Sequence, residues 1–208
     1  MPTATFFRLP AEKQKRIFRA AVKEFGHSHY SEASINQIIK NAGIPRGSFY
    51  QYFEGKEDIF IYVLEEISRE KLEVFAQAIE GAKEKGFFAS VGAVMPAIIA
   101  WVEQRAEYNM IGLRMVEEDS KIARDWFEQM RGSAGAIRMM IENDQKNGWI
   151  RGDVTPELVT ELASSLAFPL VRLYYQSEDK SEVVKKLVLY FDMLYRGLRN
   201  DAAPEGLS

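Results

Sequence analysis

The sequence predicts an all-α protein, an N-terminal three-helix bundle containing a helix-turn-helix joined to a larger helical domain, with about nine helices in total. Three observations carry that expectation. Apolar residues recur at helical spacing along nearly the whole chain, while alternating strand patterns are almost absent. Single Gly or Pro residues interrupt the periodicity, as helix ends require. The 20 residues from Ser34 to Phe53 place a capped apolar helix, a Gly turn and a short aromatic helix in direct succession.

The elements follow in order. Ile17, Ala21 and Phe25, with Phe18 and Val22 beside them, make the apolar face of a helix whose other faces carry Lys13, Lys15, Arg16, Arg19 and Lys23; Gly26 ends it. His27 and His29 are two apart, too close to share a helical face, and read as turn residues. Ser34 is an N-cap, with Gln37 placed to complete a capping box, and Ile35, Ile38, Ile39 and Ala42 fall at i, i+3, i+4 and i+7. Gly43 suits the left-handed position after that helix, and Ile44 plugs the angle to the next. Pro45 can open a helix, because the first helical amides have no intrahelical partner, so a second helix is expected from about Arg46 to Tyr52. Phe49 and Phe53 point one way. Arg46, Ser48, Tyr50 and Gln51 are left outward, a donor-rich surface on a helix thin enough for a major groove about 12 Å wide.

The run Glu24-Phe25-Gly26, Ser34-Ile35-x-x-Ile38, Ala42-Gly43-Ile44, Gly47-Ser48-Phe49-Tyr50-x-Tyr52-Phe53 and Lys56-Glu57-Asp58-Ile59 resembles the DNA-binding domain of the TetR family of bacterial transcriptional regulators, over roughly residues 10 to 62. That family carries Ser or Thr where this chain has Pro45, so a capping hydroxyl is missing. The resemblance implies a helix-turn-helix DNA-binding domain over residues 1–55 and a helical effector-binding and dimerisation domain over 56–199; the tail over 200–208, with Pro204 and Gly206, reads as disordered. It also implies a repressor that binds a near-palindromic operator as a homodimer and is released by a small, largely apolar or amphipathic effector. The expected DNA contacts are Ser34, Arg46, Gly47, Ser48, Tyr50, Gln51, Tyr52 and Lys56. Arg46 and Gln51 are the sequence readers, since both donate to purine acceptors; Ser34, Tyr50, Tyr52 and Lys56 hold phosphates, although Tyr50 and Tyr52 serve equally well as packing residues.

Charge agrees with that division. Residues 1 to 56 hold nine basic and four acidic side chains, a net of +5, whereas the remainder holds 18 against 26, a net of −8. A basic face releases counterions on meeting phosphates, so a cationic head on an acidic body is the electrostatic footprint of DNA binding. The chain has no Cys, hence no disulfide framework, thiolate nucleophile or Cys-based metal site. Its first residues lack a basic segment followed by an apolar one, so no signal peptide is expected and a cytoplasmic location is the default. The uncharged apolar stretch 87 to 102 holds 16 residues with Pro96 inside, short of the ~20 that span a bilayer; it reads as a buried helix, with no membrane partner.

In the second part of the chain the periodicity predicts helices at about 56 to 80, 87 to 105, 107 to 118, 120 to 147, 156 to 176 and 181 to 199. Phe75, Trp101, Tyr108, Met115, Trp126, Phe127, Met130 and Phe168 are candidates for an effector pocket. Each taken alone also reads as core, and the existence of a cavity follows from the resemblance. Arg105, Arg114 and Arg138 are candidate anchors for a carboxylate. Thr155 caps a helix whose first residue is Pro156, and Leu162, Leu166 and Leu173 there, with Val184, Leu187, Phe191 and Leu194 on the last helix, form the expected four-helix dimer interface. No enzyme is expected, because no catalytic constellation stands out. Glu117, Glu118 and Asp119 read as a surface acidic cluster, and Gly132-Ser133-Ala134-Gly135 lacks the ending of a phosphate loop and reads as a thin place where helices cross. Neither metal nor cofactor is implied. The competing reading is a constitutive helix-turn-helix DNA-binding dimer whose C-terminal domain meets a protein partner.

Overall fold

The computed structural model describes residues 1–200 apart from 83–84, 119 and 133–134, and leaves out the side chains at 130–132, 136, 163–164 and 167–168. The described residues form eleven α-helices and no strand; one antiparallel bridge joins Ile150 to Arg199. In chain order the helices are α1 (Ala4–Phe7), α2 (Ala11–His27), α3 (Ile35–Ala42), α4 (Arg46–Tyr52), α5 (Lys56–Ile79), α6 (Phe87–Gln104), α7 (Ala106–Glu118), α8 (Lys121–Gly132), α9 (Gly135–Lys146), α10 (Pro156–Gln176) and α11 (Lys180–Leu198). Two differences account for the excess over the nine expected. The run from 120 to 147 is two helices, α8 and α9, meeting around the Gly132–Gly135 segment, whose Ser133 and Ala134 lie outside the described residues. The four-residue α1 has too little periodicity to show in sequence.

Packing divides the chain into two compact units: Met1–Glu73 with Arg105–Ala123, and Val74–Gln104 with Arg124–Ser208. The first therefore recruits α7 and most of α5 to the head, a different cut from the functional boundary expected after residue 55. Its core is aromatic and aliphatic: Phe6, Ile17, Phe25, Ile38, Phe49, Phe53, Ile59 and Val63 are fully enclosed. Phe25 meets Phe60 edge-on at 4.7 Å, and Phe6 meets Phe53 at 5.0 Å. Burial pushes the Tyr62 hydroxyl up to about 12, so it stays uncharged. Helices α2 and α7 approach closely because Gly26 has no side chain: a Cβ there would stand 3.3 Å from the Glu107 carbonyl oxygen.

The second unit is organised around Phe87, Phe88, Ile141, Ile150, Val159, Tyr195 and Leu198. Gly86 enters α6 at φ +97°, and a Cβ there would lie 2.6 Å from Asp144 Oδ2. That space is needed because the Phe87 amide donates to the same oxygen at 2.7 Å. Burial raises the Asp144 carboxyl above its ordinary value, and the Phe87 hydrogen bond opposes this only in part. Thr155 caps α10 as expected, accepting the Leu158 amide. Among the described residues α6 is the one helix long and apolar enough to cross a membrane by length and composition. Both its ends are nevertheless buried, Phe87 and Phe88 in the core cluster and Trp101 and Val102 at the far end. Its centre departs from the expectation of a wholly buried helix: residues 91–100 are half-buried or exposed.

Candidate nucleic-acid interface

Helices α3 and α4 form the expected helix-turn-helix. Gly43 adopts φ +59°, ψ 42° and its N–H reaches the Ile39 and Lys40 carbonyls, closing α3. Ile44, 6% exposed, fills the corner. Pro45, at φ −63°, precedes the first turn of α4. The anticipated capping box does not form. Ser34 makes no side-chain cap; its amide instead donates to Glu24 Oε1 at 2.8 Å, and Gln37 spends its amide on Asn41 at 3.0 Å. A full carboxylate is a stronger acceptor than the Gln37 amide oxygen, so Glu24 wins the donor.

On α4 the structure separates the candidate contacts into two groups. Arg46, Gly47, Tyr50 and Gln51 are exposed and Ser48 is half-buried, while Arg46 Nη1 reaches only Asn36 Oδ1, at 3.3 Å, leaving most of its fork free. Tyr52 is turned inward, 4% exposed, with its hydroxyl accepting from Lys13 Nζ at 3.1 Å. Of its two readings the structure gives it packing, because the i+3 spacing from Phe49 puts it on the buried side. Lys56 is half-buried and its Nζ donates to the Ser31 and Ala33 carbonyls, at 3.0 and 3.1 Å, above the Tyr30 ring. It therefore organises the α2–α3 loop first, with one ammonium hydrogen left for a phosphate.

That loop is also held from α7. Glu118 accepts the Tyr30 amide at 2.8 Å and the Ser31 amide at 2.9 Å, and one turn earlier Arg114 Nε donates to the Gly26 carbonyl at 3.0 Å. Burial alone would raise the Glu118 carboxyl, but the hydrogen bonds from Ser31 and Tyr30 outweigh it and hold it below the ordinary value. Sequence reasoning missed this role, since the partners are 88 and 87 residues away. A helix end rich in carboxylates carries no sign in sequence of which distant amides it accepts from. Along α2 the exposed cations Arg16, Arg19 and Lys23 flank Ala20, and with Glu12 and Asn41 they line an open cleft of about 460 Å³. Such a lining suits phosphates, not an apolar ligand.

The effector candidates are scattered. Phe75 and Trp101 meet edge to face at 6.4 Å in the second unit, where Trp126 and Phe127 are half-buried. Tyr108 and Met115 belong to the first unit: Tyr108 packs on Phe18 at 6.1 Å, and Met115 is buried. The side chains of Met130 and Phe168 lie outside those described. The three candidate anchors are already engaged, Arg105 with Glu70, Arg114 with the Gly26 carbonyl, and Arg138 with Glu142 and Glu157. Of the interface candidates, Leu162 is 43% exposed, whereas Leu166, Leu173, Val184, Leu187 and Leu194 are half-buried and Phe191 packs on Phe88 at 6.3 Å, beside the unit's own core. The outward apolar groups of α11 are instead Val188, Leu189 and Met193.

A surface-directed donor-rich helix on a cationic, rigidly packed three-helix head defines a helix-turn-helix DNA-binding protein. Residues 17–63 match the family model described as bacterial regulatory proteins, tetR family. The chain is similar to the HTH-type transcriptional regulator YdgC of Bacillus subtilis, 24% identical over 89% of this chain and 95% of that protein. It is also similar to the fatty acid metabolism regulator protein of Bacillus subtilis, 23% identical over 90% and 99%. The fold is shared with the crystal structure of the transcriptional regulator FadR from Bacillus subtilis in complex with stearoyl-CoA, at a TM-score of 0.71 and 18% identity, covering 89% of this chain and 99% of that one. Residues 17–63 thus form a helix-turn-helix DNA-binding domain of the TetR type.

Proposed function

We propose that this cytoplasmic, non-enzymatic regulator represses transcription as a homodimer on a near-palindromic operator and is released by a long-chain acyl thioester. The observation that carries the DNA half is the outward face of α4, where Arg46, Ser48, Tyr50 and Gln51 remain accessible above a fully buried Phe49. Arg46 and Gln51 read base edges, Ser34, Tyr50 and the remaining hydrogen of Lys56 meet phosphates, and Gly47 lets the helix approach the groove. The dimer half rests on two apolar stripes of the second unit. Along α10, Leu158, Leu162, Ser165 and Pro169 are exposed at i, i+4, i+7 and i+11, and α11 exposes Val188, Leu189 and Met193. Paired across a two-fold axis, these stripes bury each other and present two α4 helices to successive major grooves.

The ligand half draws on the relative that binds stearoyl-CoA and on the second unit's own composition. Phe75 and Trp101 offer an aromatic corner, Trp126 and Phe127 are half-buried, and the half-exposed centre of the apolar α6 supplies aliphatic wall. α5 contributes residues to both units, so a ligand that favours one setting of this helix shifts DNA affinity by its differential binding to the two states.

The test begins with selection of duplexes from a random pool by the full-length protein, followed by titration of the complex with stearoyl-CoA, stearate and coenzyme A. A two-fold-symmetric selected site released by stearoyl-CoA at lower concentration than by the other two supports the whole reading. Release by none of them removes the ligand assignment and leaves the DNA reading standing. Failure to select any duplex removes the DNA reading.

A further inference from the structure

We propose that Thr3 and Phe6, which precede the family-matched segment, are positioning residues for base reading: they brace the C-terminal end of the recognition helix α4 and fix where Gln51 meets the DNA. The inference rests on the reading of α4 as the base-reading element. Helix α4 has seven residues, and an isolated helix of that length is far below the ~12–15 residues that are even marginal in water. Its N-terminal end is secured by the Gly43–Ile44–Pro45 corner. At the other end the last carbonyls have no intrahelical partner and must find donors elsewhere. Phe53 N–H serves the Phe49 carbonyl at 2.9 Å. The next two donors come from Thr3, whose Oγ1 donates to the Gln51 carbonyl at 2.7 Å and whose amide donates to the Tyr52 carbonyl at 2.9 Å.

Phe6 makes this attachment rigid. It is fully buried, with its ring centroid 5.0 Å from Phe53, 5.1 Å from Tyr62 and 6.3 Å from Tyr52, so it joins the end of α4 to α5 through one aromatic cluster. Tyr52 is fixed from its other side by Lys13 of α2. The chain between Thr3 and Phe6 is a single helical turn, α1, so the hydrogen bonds and the buried ring act as one short strap. The strap holds the main chain of Gln51 itself, whereas Arg46 sits a turn and a half away at the end secured by the corner. Loosening the strap therefore blurs recognition at one end of the helix and spares the other.

The experiment uses the full chain and a duplex selected by the wild type, with every base pair of one half-site substituted in turn. Arg46→Ala and Gln51→Ala first map which base pairs each side chain reads. Thr3→Val removes the hydroxyl at nearly constant shape; Thr3→Pro removes both donors and suits the observed φ of −70°; Thr3→Ser restores the hydroxyl. One lost hydrogen bond corresponds to about a two- to tenfold loss of operator affinity, and two to about five- to a hundredfold. Thr3→Val is expected to flatten base preference at the Gln51 positions and leave it at the Arg46 positions, with affinity for an unrelated duplex and the salt slope unchanged. Thr3→Ser returns it to within about twofold of wild type, and Phe6→Leu follows Thr3→Val. Circular dichroism confirms folding, and if Thr3→Pro does not fold, Thr3→Val decides. Unchanged preference in Thr3→Val, or equal flattening at both ends of the half-site, overturns the proposal; a wild-type protein that selects no duplex overturns it together with the reading of α4.

Discussion

Replacing Glu118 tests whether α7 is a working part of the DNA-binding head. The carboxylate accepts two amides from the loop that leads into α3, Tyr30 at 2.8 Å and Ser31 at 2.9 Å. A hydrogen bond to a charged group contributes about 1.5–3 kcal/mol when water is kept away. Tyr30 is half-buried and keeps most of that value, while Ser31 is exposed and water takes over its bond. Glu118→Ala therefore costs about 2 kcal/mol and Glu118→Gln, which keeps one acceptor without the charge, about 1 kcal/mol. Trp101, Trp126 and Trp149 all belong to the second unit, so tryptophan fluorescence does not follow this change. Amide hydrogen exchange does: protection of Tyr30 should fall roughly thirtyfold in Glu118→Ala, since 1.4 kcal/mol is a factor of ten. Acid provides the second reading. A carboxyl held below its unfolded value stabilises the fold above that value, 4.5, and loses its contribution as pH falls through the folded one. The stability gap between wild type and Glu118→Gln is thus constant near neutrality and closes on acidification through and below the ordinary carboxylate range. A gap that persists unchanged to pH 3, or Tyr30 protection equal in the two proteins, refutes the clamp.

Three further outcomes follow from the same geometry. Arg46→Ala should relax preference at one or two base pairs at a cost of about 1–3 kcal/mol, while Lys56→Ala should weaken binding to all duplexes and flatten the salt slope by roughly one unit; the same behaviour in both would sink the separation of reader from anchor. Gly86→Ala meets both a φ of +97° and the Asp144 carboxylate at 2.6 Å, so it should cost about 2–5 kcal/mol in urea denaturation followed by tryptophan fluorescence, and an unmoved midpoint would contradict the packing. Met193→Glu places a charge on the most outward apolar residue of α11 in both copies of a symmetric pair, so sedimentation should show monomer where the wild type shows dimer, and an undisturbed dimer would move the interface elsewhere.

What the sequence made legible was local. The turn at Gly43 and the bounds of α4 follow from interactions within a few residues, and the same holds for the Thr155 cap with Pro156 at the first helical position; all appear where spacing and residue chemistry put them. What it concealed depends on distant partners. Ser34 and Gln37 have the spacing of a capping box, yet Glu24, ten residues back, offers a better acceptor and takes the amide. Glu118 looked like one of three surface acids, because nothing near it in sequence says that two loop amides 87 and 88 residues earlier lack acceptors. Phe191 has the periodicity of an interface residue, but periodicity fixes only which residues share a face, and the ring turns toward Phe88 while Val188, Leu189 and Met193 face out. The same reasoning explains why the functional head is larger than its motif. Helices as short as α3 and α4, and the loop that leads into them, cannot satisfy all their own backbone groups, so these recruit partners from outside the helix-turn-helix: Thr3 takes the last carbonyls of α4, Glu24 the Ser34 amide before α3, Lys56 and Glu118 the α2–α3 loop, and Arg114 the Gly26 carbonyl at the end of α2. DNA recognition by this protein is accordingly a property of the whole first unit, and its sensitivity to change is expected to concentrate at those recruited groups as much as at the side chains that face the groove.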